Sequence, residues 1–342
     1  MKNGAICEKG EAMAFVTEFT KLFGIEVPVM EGGMQNVADP VLAAAVSNAG
    51  GLGTTNISMY PDLGQFRDAL KEIKALTDKP FAVNVSMIPN VDMGEKIRQY
   101  LDICAQEGVS TIETAGKNPK EFVDIIHDGG MKIIHKVPMV KHAVSAVKSG
   151  VDAVSIVGSE AAGHPSPDLV GTMVLAQKAA LAQLGVPFLI GGGICTGSAL
   201  AAALTLGADG VVMGTRFLAS CECPISNRHK DWILNASETD TVLCQRAIRN
   251  MVRVAHNAAA DECLELEKHP GVTLEDLLPV ISGAAGKKAY ETGDISRGMF
   301  AVGQGIGLIR ETMAVQEIMD ELLQEADASI RRAAGCIFKE IP

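Results

Sequence analysis

Up to about residue 215, short runs of β-branched and apolar residues alternate with longer stretches whose apolar positions recur at helical spacing. The short runs predict strands at Val27 to Met30, Gly51 to Thr54, Phe81 to Val85 and Thr111 to Thr114. Four more fall at Lys132 to His135, Ala153 to Ile156, Pro187 to Ile190 and Gly210 to Met213. Helices are predicted between them at Asp39 to Asn48, Asp62 to Leu76, Met93 to Glu107, Pro119 to Asp128, Val140 to Ser149, Gly171 to Leu184 and Ser198 to Leu206. Eight buried parallel strands separated by single helices predict an α/β fold of the TIM-type (β/α)₈ barrel class. Order in sequence does not fix closure, and a doubly wound sheet satisfies the same alternation.

The rhythm changes after residue 220. Thr239 to His256 and Leu274 to Val280 are expected to be helical, without strands, and Val242, Ile248, Val252 and Ala255 read as the apolar stripe of a packed helix. Ile306 to Ala334 again predicts a helix, its stripe formed by Ile309, Met313, Ile318 and Leu322. The expected organisation is a barrel over 17–220, a mostly helical subdomain over 221–299, and a C-terminal helical segment, 300–342, packing back on the barrel.

Composition narrows the function. Aromatic residues are only 4% of the chain and the formal net charge is −11, which argues against nucleic acid or an anionic membrane as partner. The cysteines at 7, 104, 195, 221, 223, 244, 263 and 336 are scattered and expected to be reduced thiols. Cys221 and Cys223 have no second pair or nearby histidine at ligand spacing, so no metal is expected. Residues 1–14 carry Glu8 and Glu11 where a secretory leader needs an apolar core, and no run approaches the roughly 18 apolar residues of a membrane span. A cytoplasmic protein is expected.

Barrel chemistry gathers after the C-terminal ends of the strands. Strand one runs into Glu31-Gly32-Gly33-Met34-Gln35, where paired glycines admit close backbone approach to a flat ligand. Strand seven ends in Gly191-Gly192-Gly193 ahead of an Ala-rich helix, and strand eight ends in Met213-Gly214-Thr215-Arg216-Phe217. Two such turns suit a phosphate held by backbone N–H groups. On that reading, a bulky residue at Gly192 is expected to weaken phosphate binding more than stability. The glycine spacing fits neither a dinucleotide fingerprint nor, at Ser282 to Lys288, a Walker loop. Strand five places Lys136 at the same mouth, a cation suited to offset negative charge on a ligand held there. Strand six leads to His164, presented between small residues and Pro165 for proton transfer or substrate orientation. The histidines at 127, 142, 229, 256 and 269 fall in helices or peripheral loops.

Taken together, Gly32 to Gln35, Pro80 to Asn84, Glu113 to Gly116, Ile134 to Lys136, Ala162 to Pro165, Gly191 to Gly193 and Met213 to Phe217 resemble the nitronate monooxygenase, or 2-nitropropane dioxygenase-like, flavoproteins, over residues 17 to 325. Val151 to Ile156 and Ala208 to Phe217 are most similar to the NAD(P)H:quinone reductase branch. The resemblance implies FMN as cofactor and NAD(P)H as co-substrate. It implies FMN contacts at Gly33, Met34, Gln35, Ser86, Lys136, Gly163, Gly191, Gly192, Gly193, Gly214 and Thr215, His164 at the reactive face, and Pro89 at the nicotinamide gate. Residues 157–161 and 165–170 depart from the family pattern, so specificity is less determined than cofactor.

The resulting expectation is an oxidoreductase in which NAD(P)H reduces FMN and FMN reduces a quinone-like acceptor. Nitronate oxidation with oxygen, enoyl-thioester reduction, and a non-catalytic flavin sensor remain the other readings. Small-molecule substrates are the expected partners, and a homodimer stays open.

Overall fold

The structure, a computed structural model, describes residues 15–87 and 94–336. Its centre is eight parallel strands: β1 (Val29–Glu31), β2 (Gly53–Asn56), β3 (Phe81–Met87), β4 (Thr111–Gly116), β5 (Lys132–Val137), β6 (Ala153–Val157), β7 (Phe188–Gly191) and β8 (Gly210–Met213). Each strand from β2 to β7 pairs with the next, and β8 pairs with β1. The ring closes between β1 and β2, where Leu52 N–H donates to Val29 O and Glu31 N–H donates to Leu52 O, both at 2.9 Å. The sequence expectation of a TIM barrel is met, and the doubly wound alternative is not.

The helices of the wall are α1 (Glu18–Phe23), α2 (Pro40–Asn48), α3 (Leu63–Leu76), α4 (Gly94–Glu107), α5 (Val123–Asp128), α6 (Val140–Val147), α7 (Thr172–Ala182), α8 (Gly197–Thr205) and the short α9 (Thr215–Leu218). Inside the ring, Met30, Leu52, Ala82, Ile134, Ala153, Leu189 and Val212 form an apolar layer packed with Phe19, Phe23 and Ile25. Two turns of α1 thus plug one end with aromatic rings. Side chains alternate along a strand, so two residues beyond Ala82 and Ile134 stand Asn84 and Lys136. At that level the interior becomes polar.

The remaining elements are α10 (Asn227–Asn235), β9 (Thr241–Cys244), β10 (Val252–Ala255), α11 (Ala258–Leu266), α12 (Leu274–Ile281), α13 (Gly283–Thr292) and α14 (Val315–Ala334). The helix expected over Thr239 to His256 is instead an antiparallel hairpin of β9 and β10. Its apparent helical stripe is a coincidence of spacing. Val252 and Val254 pack with Leu277 and Val280, whereas Ala255 belongs to the barrel-side core, which is the period-two behaviour of a strand. Gln245 and Arg249 take φ of 63° and 56° in the connecting turn, which breaks any helix there.

The tail also starts later than expected. Met313 is held extended, its O accepting from Cys221 N–H at 2.8 Å, and the helix begins only at Val315. Helix α14 then packs on α8, where Gly197 N–H donates to Glu325 Oε2 at 2.7 Å. A Cβ on Gly197 would lie 2.1 Å from Leu322 O, so this crossing depends on glycine. Among the described residues no helix is long and apolar enough to cross a membrane, and no cysteine is in a disulfide.

Glu31 reinforces the closure. It has no exposure, and its Oε2 accepts from Thr54 N–H at 3.0 Å, carrying the β1 to β2 seam past the last backbone bonds. Burial pushes its pKa well above the usual glutamate range. Folding therefore has to protonate Glu31 once pH exceeds the unfolded-state value, and this burden grows as pH rises. Glu31→Gln keeps the acceptor and removes the proton uptake. The variant should exceed the parent in unfolding free energy near about pH 8, with the gap closing on acidification by at most ~1.4 kcal/mol per pH unit. Guanidinium unfolding across that range checks this; a gap independent of pH contradicts it.

Candidate active site

Three groups of residues meet at the C-terminal mouth of the barrel. The first is a polar floor. Glu113 on β4 is fully buried, and its Oε2 accepts from Lys136 Nζ on β5 at 3.2 Å. The same oxygen takes a short hydrogen bond from Asn84 Nδ2 on β3. Ser86 Oγ, two residues along, donates to Asn84 Oδ1 at 3.0 Å. Gly33 lies flat on this group: a Cβ there would come within 2.4 Å of the Asn84 side chain. Among the described residues the buried Glu113 Oε1 and Ser155 Oγ have no hydrogen-bond partner, so the floor keeps unmet polar capacity.

The second group is the pair of turns after β7 and β8. Gly192 and Gly193 have φ of 99° and 72°, a region other residues rarely enter. The turn is braced from behind by Thr172 at the start of α7, whose Oγ1 lies 2.8 Å from Gly192 O and 2.8 Å from Glu160 Oε2. Gly214 faces the Met34 sulfur, which a Cβ would approach at 3.5 Å, so the turns after β1 and β8 adjoin. Thr215 Oγ1 accepts from Gly303 N–H at 3.0 Å and retains its own proton to donate.

The third group is the loop after β6 that carries His164. Gly163 and Arg253 on β10 form a backbone bridge, with Gly163 N–H to Arg253 O at 3.1 Å and Arg253 N–H to Gly163 O at 2.6 Å. The Arg253 side chain completes the clamp through Nε to Ser159 O at 3.1 Å and Nη1 to Thr241 Oγ1 at 2.9 Å. The hairpin therefore fixes the loop from outside the barrel.

His164 is open to solvent yet ringed by protein. That surrounding protein lowers its pKa first and the charge of Lys136 lowers it further, so the imidazole is neutral at pH 7. The adjacent His135 plays no such part. It is buried, pairs through Nδ1 with Thr114 Oγ1 at 2.8 Å, and burial pushes its pKa down to about 4.

Of the residues read from sequence, Gly33, Met34, Ser86, Lys136, Gly163, His164, Gly191, Gly192, Gly193, Gly214 and Thr215 all line or support this mouth. Gln35 sits at its edge against Gly283, the first residue of α13. Pro89 lies outside the described residues. Sequence reasoning quoted Asn84 and Glu113 only within longer motifs. It missed Arg253 because that residue fell in the segment read as helix. A buried acid at an inward strand position was the available signal for Glu113.

A (β/α)₈ barrel with paired glycine turns, a caged lysine and a presented histidine defines a class of small-molecule enzymes. The family profile "Nitronate monooxygenase" matches residues 17–325, and the chain belongs to that family, as an oxidoreductase. A curated relative in Mycobacterium tuberculosis, "(3aS,4S,5R,7aS)-5-hydroxy-7a-methyl-1-oxo-octahydro-1H-indene-4-carboxyl-CoA dehydrogenase", is 34% identical over 68% of this chain and 64% of its own length. A "Probable nitronate monooxygenase" of Staphylococcus saprophyticus is 27% identical over 94% of this chain and all of its own. Among solved structures, FabK from Thermotoga maritima superposes with a TM-score of 0.87 at 33% identity, covering 94% of this chain and 100% of that one.

The expectation that Gly192 acts on binding more than on stability needs correction. A Cβ there would sit 2.9 Å from Thr172 Oγ1 and 3.1 Å from Ala161 N, on top of the unfavourable φ. Gly192→Ala should lower unfolding free energy by ~1–3 kcal/mol while also weakening any ligand of the turn. Chemical denaturation with and without inorganic phosphate measures both; an unchanged midpoint would show that the turn relaxes freely.

Proposed function

We propose that the chain is an FMN-dependent oxidoreductase that takes reducing equivalents from NAD(P)H and delivers them to a conjugated carbonyl acceptor. Quinones and α,β-unsaturated acyl thioesters are the two forms of that acceptor. The observation that carries the reading is the Lys136 ammonium, held 3.2 Å from the fully buried Glu113 carboxylate at the end of the barrel where the glycine turns after β7 and β8 lie.

The donor set suits FMN. Gly192 and Gly193 turn the chain with positive φ, and Gly214 and Thr215 adjoin them across β7 and β8, so the phosphate would sit on these two turns. Gly33 and Met34 would flank the ring, with Ser86 at the top of the floor. Bound there, the flavin supplies the hydride chemistry between donor and acceptor. Lys136 would offset negative charge beside the ring, and Glu113 holds its ammonium in place.

His164, neutral at working pH, keeps one ring N–H with which to donate to an acceptor's carbonyl oxygen. Charge developing on that oxygen during reduction would strengthen the bond. Two observations bear on the acceptor. The M. tuberculosis relative is named for a CoA thioester, which favours the thioester form. The family name and the cation at Lys136 favour an anionic nitronate as the second reading.

The structure changes how Lys136 must be tested. Lys136→Met alone leaves Glu113 buried without its cation, a defect of ~3–5 kcal/mol. Lys136→Met combined with Glu113→Gln removes the charge and the burden together. The double variant should fold, and should slow anaerobic flavin reduction by NAD(P)H. His164→Ala should leave that step intact and slow reoxidation by the true acceptor on the order of 10²-fold. Rapid mixing with quinone, enoyl thioester and alkyl nitronate in separate arms resolves the acceptor. If His164→Ala leaves every half-reaction unchanged, its assignment to the site fails.

A further inference from the structure

Away from the mouth, beneath the hairpin, lies a second cluster of reactive side chains. Cys244 ends β9, while Cys263 on α11 and Glu267 just beyond it face Cys244. Both thiols have 0% exposure, and the ligand atoms of the three residues all lie within 4.8 Å of one another. The carboxylate is fixed from its outer side. Its Oε2 accepts from Gln245 N–H at 2.7 Å and its Oε1 from Ala247 N–H at 2.8 Å. Cys263 Sγ lies 3.8 Å from the same Oε2, and Cys244 Sγ lies 3.8 Å from Ala260 O.

We propose that Cys244, Cys263 and Glu267 form a binding site for Zn(II). Two sulfurs and a carboxylate oxygen are a donor set that Zn(II) favours over the hard cations Mg(II) and Ca(II). Bond lengths of about 2.3 Å to sulfur and about 2.1 Å to oxygen set a tetrahedral sulfur-to-oxygen edge of roughly 3.6 Å. The 3.8 Å separation of Cys263 Sγ and Glu267 Oε2 is close to that edge before any metal is present. Hydrogen bonds from Gln245 and Ala247 orient the carboxylate as outer partners orient a metal ligand, and each oxygen keeps a lone pair free. Without a cation, the two buried thiols make only weak sulfur contacts, to each other, to Ala260 O and to Glu267 Oε2.

A water molecule would complete four-coordination. Loading replaces the two thiol protons with the cation, so the protons leave to solvent and no electron transfer is involved. The site would tie β9 to α11. Through β10 and Arg253 that tie reaches the loop bearing His164, although the cluster takes no part in the chemistry there.

The test is to strip the reduced full-length chain with a chelator, titrate it with Co(II), and then add Zn(II) in competition. The expected result is one equivalent of Co(II) giving thiolate-to-cobalt charge-transfer absorption and intense tetrahedral d–d bands, both abolished by Zn(II). Cys244→Ser and Cys263→Ser should lose the charge-transfer band, Glu267→Gln should weaken Co(II) binding about tenfold or more, and Cys221→Ser, at an exposed position, should change nothing. Folded wild-type protein that gives no such band overturns the proposal, and so does a band that survives Cys263→Ser. A Cys244–Cys263 disulfide recovered from freshly isolated protein would show a redox pair instead and also overturn it.

Discussion

The Glu113 carboxylate lies inside the barrel with no exposure, 3.2 Å from the Lys136 ammonium. Taking a carboxylate out of water costs several kcal/mol unless a cation and hydrogen bonds replace the lost hydration. Lys136 and Asn84 supply both, from the strands on either side of β4. Register makes this possible. Asn84 pairs with Glu113, and Lys136 stands two residues beyond Ile134, the β5 partner of Glu113, so one oxygen accepts from both neighbouring strands. The cation is thereby held at a fixed height above the apolar layer, where its field reaches His164. A surface lysine in the same place would be mobile and screened.

The other constraint is imposed from outside the ring. Loops after barrel strands are the natural place for chemistry because they are adaptable, but the imidazole proposed to meet the acceptor has to be held still. Here the hairpin of β9 and β10 is laid against the loop after β6, and Arg253 contributes backbone and guanidinium bonds at once. The segments beyond the barrel thus act on the site through geometry. The same holds for residues 303–305, where Gln304 N–H donates to Glu160 O at 2.9 Å and Gly303 reaches Thr215.

The barrel was legible because the strands are short runs buried on both faces and helices such as α3, α4 and α6 are amphipathic, two patterns that differ plainly. The glycine turns, Lys136 and His164 were legible for a related reason: each follows a strand end, where position in sequence implies position in space. The hairpin was not. Four-residue strands with an alternation of Val252, Arg253 and Val254 carry too few periods to be told from a helix, and Arg253 looks like a solvent-facing charge until its partners on another loop are known. The buried thiol cluster was hidden similarly, since Cys244 and Cys263 are 19 positions apart and meet only because the chain doubles back through α11. Glu113 lay in view, but only its register with Lys136 and Asn84 shows why an acid can be buried there.

The central claim is that this mouth is built for a flavin mononucleotide, and the most direct measurement is of what the purified protein carries. Native protein is denatured and the released chromophore is identified by mass and by its fluorescence before and after phosphodiesterase treatment. The account predicts one equivalent of FMN per chain, or stoichiometric uptake of FMN by protein isolated without it. Release of FAD, or folded protein that FMN cannot reconstitute, would contradict it.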